Sequence, residues 1–259
     1  MCYDVKASLE AQLKRAKHNG DLQSVREIME KLVPLSDLPL HHATGFSHPK
    51  LFIYTDEIPD LPTLAIWGLV PHWVKERAQL KKTWNNTLNA RGETIFEKPS
   101  FRTSAKEHRC LVFVDGFYEH HHFKGKTYPY YIHQKNNEPM ALAGLWSEWA
   151  DPETGELFNT FSIVTTEGNT MLAKIHNNPK LDGPRMPLIL PSELEEDWLA
   201  PINDELEEQK IKELIRSYPT EELESYTVGR IRGKEYVGNI PEVSNKKEYP
   251  ELSSLSLDL

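Results

Sequence analysis

The sequence predicts an α+β fold: a single domain built on a curled, mostly antiparallel, barrel-like β-sheet flanked by helices. Three observations lead there. Five runs with strand character follow one another through the middle of the chain, separated by turn-rich pieces such as Lys124-Gly125-Lys126. Amphipathic helical stretches lie before and after those runs. The 259 residues are 39% hydrophobic and 27% charged, an ordinary globular composition long enough to bury one sizeable core.

Taken in order, residues 8–33 place Leu9, Leu13, Val25, Ile28, Met29 and Leu32 at helical spacing, with a break near Asn19-Gly20, which reads as a helical hairpin. Pro34, Pro39 and the His41-His42 pair read as a loop. Leu51 to Tyr54 and Leu64 to Val70 begin the sheet. It continues through Arg109 to Val114, Gly116 to His122, Tyr128 to Gln134, Met140 to Trp149 and Leu157 to Thr166. A short helix fits Asn169 to His176 and a strand fits Met186 to Leu190. Ser192 opens a helix whose Glu195 completes a capping box, and residues 203–217 form another amphipathic helix. The domain is expected to span residues 2–243. The polar, serine-rich stretch 244–259 reads as a flexible tail.

Composition limits the function classes. No apolar run approaches the roughly 18 residues of a membrane helix, and the N-terminus lacks a signal-peptide pattern, so a cytoplasmic location is expected. Two cysteines, Cys2 and Cys110, are too few for a disulfide framework. Cys110 opens an apolar strand and is expected in the core. A net charge of −9 has the wrong sign for coating nucleic acid, so any DNA binding must come from a local basic cleft. No cofactor and no metal are expected. In the run Glu119-His120-His121-His122, adjacent strand residues point to opposite faces, which leaves at most two ligands on either side.

Chemistry concentrates at the N-terminus. A methionine before a small residue is generally removed, and removal here exposes Cys2 as a 1,2-aminothiol. Its α-amine and thiol have intrinsic pKa values of roughly 8 and 8.5, so both nucleophiles are available near neutral pH and can close a thiazolidine on an aldehyde. Position alone leaves open that Cys2 is merely an accident of a frayed terminus.

Other segments bear on that choice: WGLVPHW from Trp67 to Trp73, TLNARGET from Thr87 to Thr94, RCLVFVDGFYE from Arg109 to Glu119, and Ile175-His176 followed by Arg185-Met186-Pro187. Together with Met1-Cys2 they resemble the SOS response-associated peptidase (SRAP) family, in order and rough spacing over about residues 2–240. The resemblance implies a self-processing protein that shields abasic sites in single-stranded DNA. It does so by a covalent link from its mature N-terminal cysteine, as part of the DNA damage response. Such a protein would act as a monomer and associate with the nucleoid when bound to damaged DNA.

Carried over by that resemblance, Cys2 is the nucleophile and Asn89 orients the mature N-terminus. Glu119 shuttles protons at the α-amine, and His176 serves as general acid/base in opening the sugar hemiacetal. Arg91 and Arg185 would contact DNA, Arg91 through a bidentate phosphate contact, while Trp67 with Gly68 and Leu69 would supply an aromatic platform. Glu119 shares a strand face with Phe117 and His121, which favours an inward carboxylate. Each role has a plainer alternative: a surface pair with Glu93 for Arg91, a helix cap for His176, the core for Trp67.

The chain departs from the family pattern in three places. Tyr3-Asp4 stands where the family commonly has Gly-Arg, His120 where a tryptophan often follows the glutamate, and NNPKLDGP separates His176 from Arg185 in place of a single residue. Two other functions fit parts of the sequence. An N-terminal-nucleophile amidohydrolase would use Cys2 with its own α-amine and turn over repeatedly. A non-covalent single-stranded DNA-binding module would bind reversibly with salt and ignore the lesion.

Overall fold

The alternation through the middle of the chain builds two sheets in the computed structural model, which describes residues 2–19 and 22–252. The strands are β1 (Asp4–Ala7), β2 (Leu40–Thr44), β3 (Lys50–Thr55), β4 (Thr63–Trp67), β5 (Asn89–Arg91), β6 (Arg109–Val114) and β7 (Gly116–Phe123). They continue as β8 (Lys126–Gln134), β9 (Met140–Ala150), β10 (Leu157–Glu167), β11 (Arg185–Pro187), β12 (Ile189–Leu190) and β13 (Leu223–Thr227). One sheet runs β13-β8-β7-β1-β2. In the other, β10 pairs with both β4 and β9, so β10, β4, β3, β6 and β9 close into a ring. Closure removes the edges that an open sheet must protect. All pairings are antiparallel except those of β10 with β4 and β5.

Period-2 patterning assigns the faces. Along β6, Cys110, Val112 and Val114 enter the core shared with Val5 and Phe117 of the five-stranded sheet. Leu111 and Phe113 enter the core on the helical side, with Trp198 and Ile211. Helices α1 (Leu9–Gln12), α2 (Lys14–Asn19), α3 (Leu22–Leu32), α4 (Arg77–Thr83), α5 (Arg102–Glu107), α6 (Thr170–Ile175), α7 (Glu195–Leu199) and α8 (Glu205–Leu214) surround this framework. The buried Arg109 donates to the carbonyls of Ala105, Lys106, Trp198 and Ala200, satisfying acceptors at the ends of α5 and α7.

Several local expectations are corrected. The His41-His42 pair lies in β2 rather than a loop, because β1, too short to read from its four residues, supplies a partner in register Val5↔Ala43. The hairpin breaks at Leu13 as well, and the Gly20 break lies outside the described residues. The strand expected over Met186 to Leu190 divides at Leu188, since β11 pairs with β10 and β12 with β9. Ser192 opens a 3-10 turn and Glu195 makes no capping box; its carboxylate instead meets the buried Arg15 at 3.1 Å. The last helix is shorter than 203–217 and starts from Asp204, whose carboxylate accepts from Glu207 N–H. The segment up to Leu252 packs on the body: Tyr249 donates its hydroxyl to Val228 O, and Leu252 is buried. The rest of the expected tail, 253–259, lies outside the described residues.

Candidate active site

Strand pairing delivers the N-terminal cysteine. β1 lies between β2 and β7 with Asp4 opposite Tyr118, so the chain end bearing Cys2 runs alongside Glu119. A hydrogen bond from Gly45 N–H to Tyr3 O, 2.8 Å, holds that end on its other side. Cys2 is buried in the main core. Burial pushes its thiol well above the ordinary range, and the nearby Glu119 adds to the effect.

Glu119 points inward from β7, as its alternation with Phe117 and His121 predicts; the three are 8%, 1% and 4% exposed. Its carboxylate Oε2 lies 3.9 Å from His176 Nδ1. His176 follows α6, a helix capped at its start by Asn169, and its backbone N–H closes the last turn on Leu172 O at 2.7 Å. Two ties hold α6 and its exit to β7. His121 Nδ1 donates to Lys174 O at 2.9 Å, and Asn177 pairs reciprocally with the His122 backbone at 2.7 and 3.0 Å. His176 Nδ1 also sits between Arg185 N, 3.0 Å, and Arg185 O, 3.2 Å. Unprotonated, Nδ1 accepts from the N–H; protonated, it donates to the carbonyl.

Burial acts on both members of this pair in the direction of neutrality. It raises the Glu119 carboxyl and pushes the His176 imidazole down to about 4. A carboxyl biased toward its protonated form beside an imidazole biased toward its free base is an acid and a base ready to exchange a proton.

The pair opens on a cleft of about 410 Å³ whose walls include Tyr3, His120, His122, Arg230 and Arg232. The segment following His176 forms part of the wall through Asn178 and Leu181, so the eight residues separating His176 from Arg185 shape the cleft and leave His176 against Glu119. Among the described residues, no group of three or more His, Cys, Asp or Glu side chains converges as a metal site.

The other sequence-predicted residues divide. Asn89, on β5, has a side-chain amide whose nitrogen and oxygen are both buried and without a hydrogen-bond partner among the described residues. Such an amide is costly unless something completes it. Arg91 is exposed and forms no ion pair among the described residues; Glu93 pairs instead with Arg185, in a bidentate contact at 2.8 Å on each oxygen. Arg185 is thus bound into the protein. Trp67 lies in the core, fully buried, stacked on Phe161 and donating its indole N–H to Leu88 O at 2.8 Å. No face of it is open to a base. Leu69 is buried too, and Gly68 makes the turn between them at φ 124°, with the Trp84 indole packed where a side chain would stand.

Sequence reasoning missed one polar cluster. Asp4 is 3% exposed, and its carboxylate meets His42 Nε2 at 3.0 Å and Arg232 Nη2 at 2.5 Å, while Tyr236 OH lies 2.9 Å from His42 Nδ1. Burial alone would raise Asp4, but His42 and Arg232 hold it below the usual carboxylate range. The signal lay in Asp4 itself, an acid two residues from the cysteine.

A closed ring of strands packed against a second sheet, with Cys2 at the head of a central strand beside a buried carboxyl-imidazole pair, defines an α+β protein with a polar site at the start of its chain. The fold and motifs name it more closely. The chain belongs to the SOS response associated peptidase (SRAP) family, whose profile matches residues 41–234, a span that includes Asn89, Glu119 and His176. It is 36% identical over 166 residues to the abasic site processing protein YoqW of Bacillus subtilis, covering 64% of this chain and 68% of that protein. With the abasic site processing protein HMCES of Pongo abelii it shares 31% identity over 193 residues, covering 64% of this chain and 51% of the relative. A crystal structure of a Bacteroides thetaiotaomicron protein superposes with a TM-score of 0.80 at 33% identity, covering 95% of this chain and 100% of that one.

Proposed function

We propose that this chain captures abasic sites in single-stranded DNA covalently, through Cys2 as its mature N-terminus. The observation that carries the reading is the buried Glu119–His176 pair, 3.9 Å apart, beside the strand end that bears Cys2. Loss of Met1, by self-processing or by an aminopeptidase, frees the Cys2 nitrogen as an α-amine. The amine adds to the aldehyde of the ring-opened sugar and expels one water to give an imine. The thiol sulfur then bonds to the imine carbon and the nitrogen takes a proton, closing a thiazolidine. Glu119 moves protons at the amine, and His176 opens the sugar hemiacetal as general acid/base. The unsatisfied Asn89 amide orients the mature terminus. Arg91, exposed and without an ion pair among the described residues, takes a flanking phosphate.

Intact-mass measurement tests this. The protein lacking Met1, incubated with an oligonucleotide bearing one abasic site, should give a species equal in mass to both reactants less one water, with Cys2 modified. An adduct on a lysine, or none, overturns the assignment.

A further inference from the structure

The Asp4 cluster is not part of the proton-transfer machinery, yet it lies two residues from the cysteine and joins three parts of the fold. β1 contributes Asp4, β2 contributes His42, and the segment following β13 contributes Arg232 and Tyr236. Its hydrogen bonds have one consistent direction. The Tyr236 hydroxyl donates to His42 Nδ1, which leaves Nε2–H to donate to Asp4 Oδ1, and the Arg232 guanidinium donates to Oδ2. Asn239 tightens the same corner: its side-chain oxygen accepts from the backbone N–H groups of His41 and His42 at 2.6 and 3.1 Å.

On the reading of Cys2 as nucleophile, we propose that Arg232 and His42 are positioning residues. Both clamp the Asp4 carboxylate and hold the strand end that presents Cys2, and the Arg232 guanidinium compensates a negative charge that would otherwise oppose thiolate formation. Asp4 is buried, so little water screens it. Asp4 lies two residues from Cys2 on the same chain end, and its charge acts on the thiol. Glu119 already sets one carboxyl beside that sulfur, and Asp4 without its partners would add a second. The charged and titratable groups facing Asp4 are Cys2 from its own chain end, His42 from β2, Glu119 and His120 from β7, and Arg232 and Tyr236 from the C-terminal segment. Of these, Arg232 is the permanent cation, and it is half-exposed, so it can be altered without opening the core.

The test is the pH dependence of Cys2 alkylation by iodoacetamide in the protein lacking Met1, with the site of modification assigned by peptide mass. Arg232→Met should slow alkylation at neutral pH by about threefold or more and move its midpoint to higher pH. Arg232→Lys should stay near wild type. Asp4→Asn combined with Arg232→Met should restore the rate, because the charge that Arg232 compensates is then gone. An unchanged Arg232→Met profile overturns the proposal, and so does slowing that Asp4→Asn fails to relieve. No DNA takes part, so this result stands apart from the adduct experiment: loss of the adduct in wild type would remove the proposed function, while loss of the coupling removes only the clamp.

Discussion

Glu119 on β7 and His176 at the end of α6 are brought to 3.9 Å by two elements tied together at His121 and Asn177, and burial favours the neutral form of each group, raising the carboxyl and lowering the imidazole. A group tuned to exchange a proton is held there at a cost to stability, because each charged form is disfavoured.

Glu119→Gln separates the two consequences. Loss of the proton shuttle should slow adduct formation on the order of 10²-fold. The folded state raises the carboxyl above its unfolded value, so the wild type loses stability as pH rises from the ordinary carboxylate range through the folded pKa. The glutamine removes that loss. Denaturant unfolding at neutral pH should find Glu119→Gln at least as stable as wild type while single-turnover assays find it slow; a variant both slow and markedly unstable would assign Glu119 a structural role.

His176 gives an opposite pH signature. Its imidazole stays neutral in the folded chain down to about 4, whereas in the unfolded chain it takes a proton near its ordinary value of 6.5. Between those values the unfolded state binds more protons, so the contribution of His176 is intact above about pH 6.5 and is lost as pH falls toward about 4, by up to about 3 kcal/mol. Unfolding free energies measured across that window should fall more steeply for wild type than for His176→Gln. Parallel curves would contradict the buried neutral imidazole.

Asn177→Ala removes both hydrogen bonds that tie the exit of α6 to the His122 backbone. The side chain is exposed, so the stability cost should be small, about 1 kcal/mol. Adduct formation should slow several-fold through loosened placement of His176. A rate equal to wild type would mean that the Lys174–His121 contact suffices alone.

Arg91 and Trp67, both placed at the DNA by resemblance, should part in experiment. Arg91→Ala should leave thermal stability unchanged, weaken binding to single-stranded DNA of any sequence, and reduce the salt slope by about one. Trp67→Ala should cost about 3–5 kcal/mol in stability, since it empties a fully buried site and removes one of the two hydrogen bonds to the Leu88 carbonyl. Salt-dependent binding and urea titration check both; a stable Trp67→Ala protein with normal packing would contradict the core assignment.

What the sequence revealed follows from which interactions are local. The long strands were legible because alternation such as that of Cys110 to Val114 is written in consecutive residues. The inward carboxylate of Glu119 followed from the same alternation. β1 and β2 were not legible: four and five residues carry little pattern, and each becomes a strand through its partner. Arg185 illustrates the same limit at the site. Its motif position suggested a ligand contact, but Glu93, 92 positions earlier in the chain, takes its guanidinium in the folded molecule. The Asp4–His42–Arg232 cluster spans 228 positions and has no local trace beyond an acid two residues from the cysteine.

The most direct test of Cys2 as the reactive residue is denaturing electrophoresis of the protein lacking Met1 after incubation with single-stranded DNA that carries one abasic site. Wild type should give a single slower band that survives denaturation, absent from undamaged DNA and absent with Cys2→Ala. A band of equal intensity from Cys2→Ala, or no band from wild type, would contradict the account.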